Sequence, residues 1–356
     1  MTDWRPTANL EALRLRAGLL ETVRAYFREQ GVLEVETPAL AAAAVTDVHL
    51  ASLEVRVMGG SGTANAAEGH AATNLAAPRY LHTSPEYHMK RLLAAGSGDI
   101  WQAARVFRGE ELSPRHNVEF TLLEWYRVGF TLEALVADID ALLRRCLAAP
   151  RAAQGAPLGP ARVLTHREAF LEHADVDSQT ATLEQLLAAA ELHLGTLPAD
   201  LNDRDTVLDL LLGMVVAPCL GRGEITYLVD WPASQAALAR LRPATPGTSA
   251  SVPVTAFDVL PAVAARVEAY LDGLELCNGF EELTDAAEQR ERFARDAARR
   301  AAAGLPVPAI DEHFLAALEH GLPPCSGVAV GFDRVAMLAA GTRDIREVLA
   351  FPYDRA

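Results

Sequence analysis

The chain has 356 residues, half of them apolar, enough for a large buried core in one or two domains and too apolar for a disordered chain. It contains no uninterrupted run of about 18 apolar residues, and its opening M-T-D-W-R-P lacks the basic region and apolar core of a secretory leader, so neither a membrane span nor an export signal is expected. A net charge of −15 argues against a large nucleic-acid footprint such as a tRNA's, and scattered Cys146, Cys219, Cys277 and Cys325, without a C-x-x-C pair, fit reduced cytoplasmic thiols better than a disulfide frame or zinc site.

Asn9 to Gln30 predicts a helix, because Leu13, Ala17, Leu20, Val23 and Phe27 recur at three- and four-residue steps and Gly31 supplies the stop. V-L-E-V-E-T-P-A-L then predicts a short strand ending at Pro38, and His49 to Val57 another. Residues 58–78 are Gly, Ala, Ser, Thr and Asn without periodicity, a surface loop. Y-L-H-T-S-P-E-Y-H-M-K-R-L-L predicts a strand, a turn at Ser84-Pro85 and a helix from Glu86, where the helix dipole suits a carboxylate. A capping role alone would also account for Glu86.

The densest stretch runs from Arg105 to Arg127: R-V-F-R-G-E-E-L-S-P-R-H-N-V-E-F-T-L-L-E-W-Y-R. Ile100 to Phe107 and Glu119 to Tyr126 predict two strands, with turn residues Gly109, Ser113, Pro114 and Asn117 between them. The second strand alternates, placing Phe120, Leu122, Glu124 and Tyr126 on one face and Thr121, Leu123 and Trp125 on the other. A salt-bridged surface hairpin is the other reading of the same charges.

Thr131 to Ala149 predicts a helix with Leu132, Leu135, Ile139, Leu142 and Leu143 inward, and Ala148 to Pro160 a linker. Glu168 to about Leu220 predicts two or three short helices broken near Gly195-Thr196 and Leu197-Pro198, an inserted helical subdomain over roughly 150–222. E-I-T-Y-L-V-D-W predicts a strand, and Leu241 to Thr255 a loop. Arg266 to Leu283 predicts a hairpin turning at Asp272-Gly273, with Glu275, Asn278 and Glu282 on its second strand; a solvated acidic strand is the alternative. Asp285 to Ala303 predicts a charged helix with a solvated Arg/Glu face, ended by Gly304 and Pro306. P-P-C-S-G-V-A-V-G-F-D-R-V-A-M-L predicts an apolar strand whose glycines allow close approach, then a helix, with Asp333-Arg334 at the junction, where an arginine can face a phosphate. The chain has neither a G-x-x-x-x-G-K-[ST] loop nor a Rossmann fingerprint.

F-R-x-E-E, R-H-N-x-E-F and L-E-W-Y together resemble motif 2 of class II aminoacyl-tRNA synthetases, in the form used by the lysine, aspartate and asparagine enzymes. The helix, strand and proline over 9–38 resemble motif 1, the dimer element. G-x-E-L-x-N-G-F-x-E resembles a segment of the lysine-type enzymes, and G-V-A-V-G-F-D-R resembles motif 3. The resemblance covers nearly the whole chain. It implies an α+β fold, an antiparallel sheet flanked by helices, as one catalytic domain over 1–356 with a helical insertion and no anticodon-binding domain, and a homodimer.

The resemblance also implies ATP-dependent activation of an amino acid, with Mg2+. Arg108 would hold the α-phosphate and the attacking carboxylate, Arg334 would face adenine or the γ-phosphate, and Glu275 would help carry the metal; these three are the expected catalytic residues. Gly109, Glu110, His116, Asn117, Phe120, Leu276 and Gly331 would complete the ATP site. Ser84, Pro85, Glu86, Glu124, Tyr126, Asn278, Glu282 and Ala329 would line the amino-acid pocket, and so many carboxylates suit a substrate with two ammonium groups.

Only about a dozen residues precede the motif 1 helix, where lysyl-tRNA synthetases carry an anticodon-binding barrel. The chain therefore resembles more closely their truncated paralogues, the ligases that attach (R)-β-lysine to elongation factor P, and this implies (R)-β-lysine as substrate and elongation factor P as acceptor. Two positions depart from these patterns. Gly109 stands where the ligases commonly have asparagine, and Ala329 where lysyl-tRNA synthetases have the middle glycine of motif 3. A lysyl-tRNA synthetase-like enzyme with another acceptor and a catalytically silent regulatory paralogue are the competing readings. The missing barrel and the charge count against tRNA, and the intact Arg108, Glu110, Glu275 and Arg334 against silence.

Overall fold

In the computed structural model, residues 4–56, 78–198, 200–243 and 261–356 are described. All but the last residue of the loop expected over 58–78, and most of that expected over Leu241–Thr255, lie outside them.

Helix α1 (Leu10–Glu29) starts at Asn9, whose Oδ1 accepts from Ala12 N at 2.8 Å, and Gly31 beyond its end takes a φ of +70°. Strand β1 (Leu33–Glu34) follows. Strands β2 (Leu40–Ala41), β3 (Leu53–Val55) and β4 (Arg79–Leu81) form a small antiparallel sheet with β4 in the middle. Next come α2 (Glu86–Ala94), β5 (Ile100–Phe107), β6 (Glu119–Val128), α3 (Leu132–Ala153) and β7 (Arg162–Thr165). Helices α4 (His166–His173), α5 (Leu183–Leu194) and α6 (Arg204–Leu211) lead to β8 (Thr226–Pro232), β9 (Leu241–Arg242), β10 (Val263–Leu271) and β11 (Leu274–Glu281). The chain ends with α7 (Ala286–Ala302), α8 (Glu312–Gly321), β12 (Cys325–Gly331) and α9 (Phe332–Ala340).

The large sheet runs β1-β5-β6-β12-β11-β10-β8-β7, with β9 beside β10; its outermost pairs, β1 with β5 and β7 with β8, are parallel and the others antiparallel. Directly paired residues in such a sheet share a face. Leu123 and Trp125 of β6 and Val328 and Val330 of β12 therefore point to one side, where Phe27 of α1, Leu142 of α3 and Val335 of α9 bury them. Phe27 stacks on Trp101 with ring centroids 4.8 Å apart. The opposite face of β5, β6, β12 and β11 is covered by α2, α7, α8 and the small sheet, and a cavity remains between the layers.

Several elements differ from expectation. The V-L-E-V-E-T-P segment pairs over only two residues, because from Pro38 the chain leaves the sheet edge to enter β2. Of His49–Val57, whose last residue lies outside the described residues, Leu53–Val55 form β3, after a turn that His49 N closes on Asp47 Oδ1 at 2.8 Å. Helix α3 runs past Ala149 to Ala153 through Pro150, whose missing N–H is tolerated close to the helix end. The helical region contains the strand β7. It does not stand apart from the sheet, since Phe170, Leu186 and Leu211 share one core with Trp231, Ala264 and Tyr270. The α7 face is not wholly solvated: Arg292 is buried and donates to the Ala237 and Ala239 carbonyls, and buried Arg300 donates to Pro306 and Asp47 carbonyls. No helix among the described residues is long and apolar enough to cross a membrane.

Candidate active site

The cavity measures about 350 Å³ and is cationic at one end, where Arg108, after β5, and Arg334, in α9, both lie near His116. Arg108 follows β5, and its backbone N–H donates to Val118 O at 2.9 Å, which sets the turn. Its guanidinium lies 5.1 Å from the Phe120 ring centroid, and Nη1 donates to Glu111 Oε1 at 3.1 Å. Arg334, in the first turn of α9, donates from Nη1 to the Glu275 carbonyl at 2.7 Å and from Nη2 to His116 Nε2 at 2.6 Å. That contact makes Nε2 an acceptor, so the imidazole is neutral and its Nδ1–H donates to Ser113 Oγ at 2.8 Å. Burial, then the Arg334 charge, lowers the His116 pKa in the same sense.

The helix carrying Arg334 is itself held. Asp333 accepts from Thr121 N at 2.7 Å and pairs with Arg16 of α1, which also donates to Thr121 Oγ1 at 3.0 Å. These buried bonds tie the first helix, β6 and the start of α9 together beside the cation site. Asn117 serves the fold at this point: its Nδ2 donates to Glu119 O at 2.7 Å and its Oδ1 accepts from Tyr353 N at 2.9 Å.

Strand register builds the other end. Gln102, Glu124, Ala329, Asn278 and Glu268 form one row across β5, β6, β12, β11 and β10. Ser84 Oγ donates to Glu124 Oε2 at 2.8 Å and accepts from Glu86 N at 3.0 Å, and Tyr126 OH donates to Glu124 Oε1 at 2.7 Å. Lys90, the only lysine in the chain, is 1% exposed and bridges Glu86 at 2.6 Å and Glu282 at 2.5 Å. Burial alone would depress its ammonium, but the two carboxylates more than reverse that and keep it charged. Three carboxylates around one cation cannot all ionise cheaply. Burial, then Glu86, pushes Glu124 up to about 8; burial also pushes Glu282 up to about 8 against the pull of Lys90. Close approach here requires glycine at position 327: a Cβ would lie 2.3 Å from the Tyr126 ring and 2.6 Å from Glu282 Oε1.

A divalent cation would find Glu275 and Glu268. Burial, then the Glu275 charge, raises Glu268 to about 7, although Arg266 pairs with it at 2.5 Å and Tyr270 OH donates to it. Among the described residues no group of three or more His, Cys, Asp or Glu side chains could close around a metal. Only Glu275 of the two lines the cavity, both Glu268 oxygens being taken by Arg266 and Tyr270, and one carboxylate suffices for a Mg2+ that completes its shell with water and phosphate oxygens.

Of the residues expected at the site, Ser84, Glu86, Arg108, His116, Asn117, Phe120, Glu275, Leu276, Asn278, Ala329, Gly331 and Arg334 line the cavity. Glu124, Tyr126 and Glu282 lie buried behind that wall, and Pro85 caps α2. Glu110 points to solvent, and its neighbour Glu111 lines the cavity instead. Gly109 N donates to Ala51 O at 2.9 Å, and a Cβ there would meet Leu53 Cδ2 at 3.0 Å, so a larger residue here needs the end of the Leu53 side chain to give by a few tenths of an ångström. The sequence reading missed Arg16, Lys90, Glu111 and Glu268. Lys90 alone carried a signal, as the one lysine of an arginine-rich chain, four residues after Glu86 in a predicted helix.

The curated relatives that resemble this chain cover almost all of it. Three are called elongation factor P–(R)-β-lysine ligase. Those of Hamiltonella defensa subsp. Acyrthosiphon pisum (strain 5AT) and Klebsiella pneumoniae (strain 342) are 44% and 45% identical over 355 residues, 99% of this chain and 98% of theirs. That of Edwardsiella ictaluri (strain 93-146) is 44% identical over 357 residues, 100% of this chain and 99% of its own. The family model for class II tRNA synthetases of the D, K and N type matches residues 1–355. With its motifs converging on one cavity over a mostly antiparallel sheet, the chain belongs to the class II tRNA synthetase family of the aspartate, lysine and asparagine type.

Proposed function

We propose that this protein activates (R)-β-lysine with ATP and transfers it to a lysine side chain of elongation factor P. The observation that carries this reading is the 44–45% identity, over nearly full length, to the three ligases bearing that name. The cavity supports it, with cations at one end and carboxylates at the other.

In this reading the amino-acid carboxylate attacks the α-phosphate of ATP, the bond to pyrophosphate breaks, and an aminoacyl-adenylate forms. Negative charge grows on phosphate oxygens, so fixed cations serve this step better than a proton-transfer pair. Arg108 and Arg334 are those cations, each already oriented by neighbours. Mg2+, held by Glu275, would neutralise phosphate charge. Phe120 stacks on adenine. Glu86 and Asn278 on the cavity wall receive the ammonium groups, and Glu124 and Glu282 behind them hold Ser84 and Lys90 in place. The acceptor ammonium gives up a proton, the neutral amine attacks the adenylate carbonyl, and the C–N bond forms as the C–O bond to AMP breaks, with the second amine proton passing to solvent.

The reading includes a cytoplasmic homodimer joined through the α1 region, and excludes tRNA as acceptor, in keeping with the net charge of −15. Sedimentation that gave only monomer at micromolar concentration would refute the dimer. ATP–pyrophosphate exchange with α-lysine and both β-lysine enantiomers, followed by acceptor labelling with tRNA and elongation factor P, tests the activity. Exchange driven best by (R)-β-lysine and label on elongation factor P are expected; label on tRNA, or no exchange, refutes the proposal.

A further inference from the structure

The outer wall of the cavity carries Asp47, Asp296 and Asp311, to which the activation step gives no work. Asp296 Oδ2 accepts from Thr46 Oγ1 at 3.3 Å, Asp47 Oδ1 from His49 N at 2.8 Å, and Asp311 Oδ1 from Phe314 N at 3.0 Å. Each keeps its second carboxylate oxygen without a bond, and none forms an ion pair among the described residues. All three are part-exposed, whereas Glu124 and Glu282 are 2% and 3% exposed. The acids gather around one residue: burial, then Glu86, Asp311, Asp47 and Asp296, holds the Tyr87 hydroxyl well above its ordinary range.

An independent feature of the same wall points to a ligand. Gln289 of α7 is 1% exposed, and neither its Oε1 nor its Nε2 has a hydrogen-bond partner. It lines the cavity on the helix face that also presents Phe293 and Asp296, four and seven residues further on. A buried carboxamide left unpaired is destabilising, so it marks a place where a bound molecule supplies the missing bonds.

We propose that Gln289, Asp47, Asp296 and Asp311 form the acceptor subsite, which receives the ammonium-bearing side chain of the protein lysine to be modified. The inference rests on the function proposed above. That reaction brings two amine-bearing molecules into one cavity, and the cavity holds two sets of acids. The inner set, part-buried Glu86 with Glu124 and Glu282 buried behind it, is paired with Lys90, which suits a small substrate. The outer set has no ion-paired cation among the described residues, Arg300 beside it being spent on the Asp47 carbonyl, and it is part-exposed, where a side chain of another protein arrives. An ammonium offers three donors to three carboxylates, and one of these takes the proton that the amine must lose before it attacks the adenylate carbonyl and AMP leaves. The slender stem behind it passes Tyr87 and Phe293, which supply apolar wall for its methylenes.

The test separates the two half-reactions in the full-length protein. Exchange of pyrophosphate into ATP is driven by (R)-β-lysine without acceptor, and transfer to elongation factor P is measured at saturating ATP and amino acid. The double variant Asp47→Asn/Asp296→Asn, and separately Gln289→Leu, are expected to raise the KM for elongation factor P about 10- to 100-fold, as loss of charge-assisted hydrogen bonds does. The exchange KM for (R)-β-lysine should stay at the wild-type value, which also shows that the variants are folded. Normal transfer in both variants overturns the inference. So does a raised amino-acid KM with normal transfer per adenylate formed, because the outer acids would then belong to the amino-acid pocket. A wild-type protein that exchanges no pyrophosphate overturns the proposed function instead, so the two failures are distinguishable.

Discussion

Replacing Lys90 with methionine keeps the length of the side chain and removes its charge. In the folded protein this ammonium is 1% exposed and lies 2.6 Å from Glu86 and 2.5 Å from Glu282. Removing one partner of a buried ion pair typically costs about 3–5 kcal/mol, because the other charge is stranded. For a chain of this length that is roughly a 4–7 °C fall in Tm. The pH dependence carries a sign. Lys90 titrates above its ordinary value, so its own contribution is constant across neutral pH and is lost only at strongly alkaline pH. Glu124 and Glu282, raised to about 8 by burial, hold protons below that pH and ionise above it. Without Lys90 their ionisation moves to still higher pH, so the folded variant binds more protons than the wild type there and loses stability faster as pH rises. The gap in Tm between wild type and Lys90→Met should therefore keep a constant part, from the lost ammonium, at pH about 6 and widen as pH rises towards about 9. Thermal melts by circular dichroism at the two pH values measure it. A gap that is equal at both, or below about 1 °C throughout, would refute the view that Lys90 neutralises the buried carboxylates.

Arg108→Ala and Arg334→Ala should each slow pyrophosphate exchange about 100- to 1,000-fold, the usual effect of removing one transition-state donor; near-wild-type exchange in both would remove the phosphate site. Ala329 sits in the row between Glu124 and Asn278 and lines the cavity, so Ala329→Gly should raise α-lysine activation relative to (R)-β-lysine by about 10- to 200-fold, the range one methyl group commands. An unmoved ratio would make that methyl simple packing. Gly327→Ala should push Tyr126 and Glu282 apart, at a cost of about 1–3 kcal/mol, and raise the amino-acid KM while leaving the ATP KM alone; equal changes in both would show that the clash spreads beyond the amino-acid pocket.

What the sequence determined by itself was local and periodic. The caps and alternation that place α1, β5, β6 and α9 lie within a few residues of the elements they set, so Asn9, Gly31 and the Phe120–Tyr126 alternation sufficed to draw them. The polar strings around Arg108, Glu275 and Arg334 were readable for the same reason, each being contiguous in the chain. Only the tertiary structure decided what those strings meet. Strand register, which no single strand contains, brought Glu124, Ala329, Asn278 and Glu268 into one row. It also put Glu124 and Glu282 behind the cavity wall and made Gly327 necessary. Edge pairing cut the expected strand before Pro38 to two residues, since an edge strand lasts only while its single neighbour runs beside it. Lys90 shows the division most clearly. Its helix and its spacing from Glu86 can be read from the sequence, but its other partner, Glu282, lies 192 residues away, and only folding could show that the one lysine of the chain is buried between them.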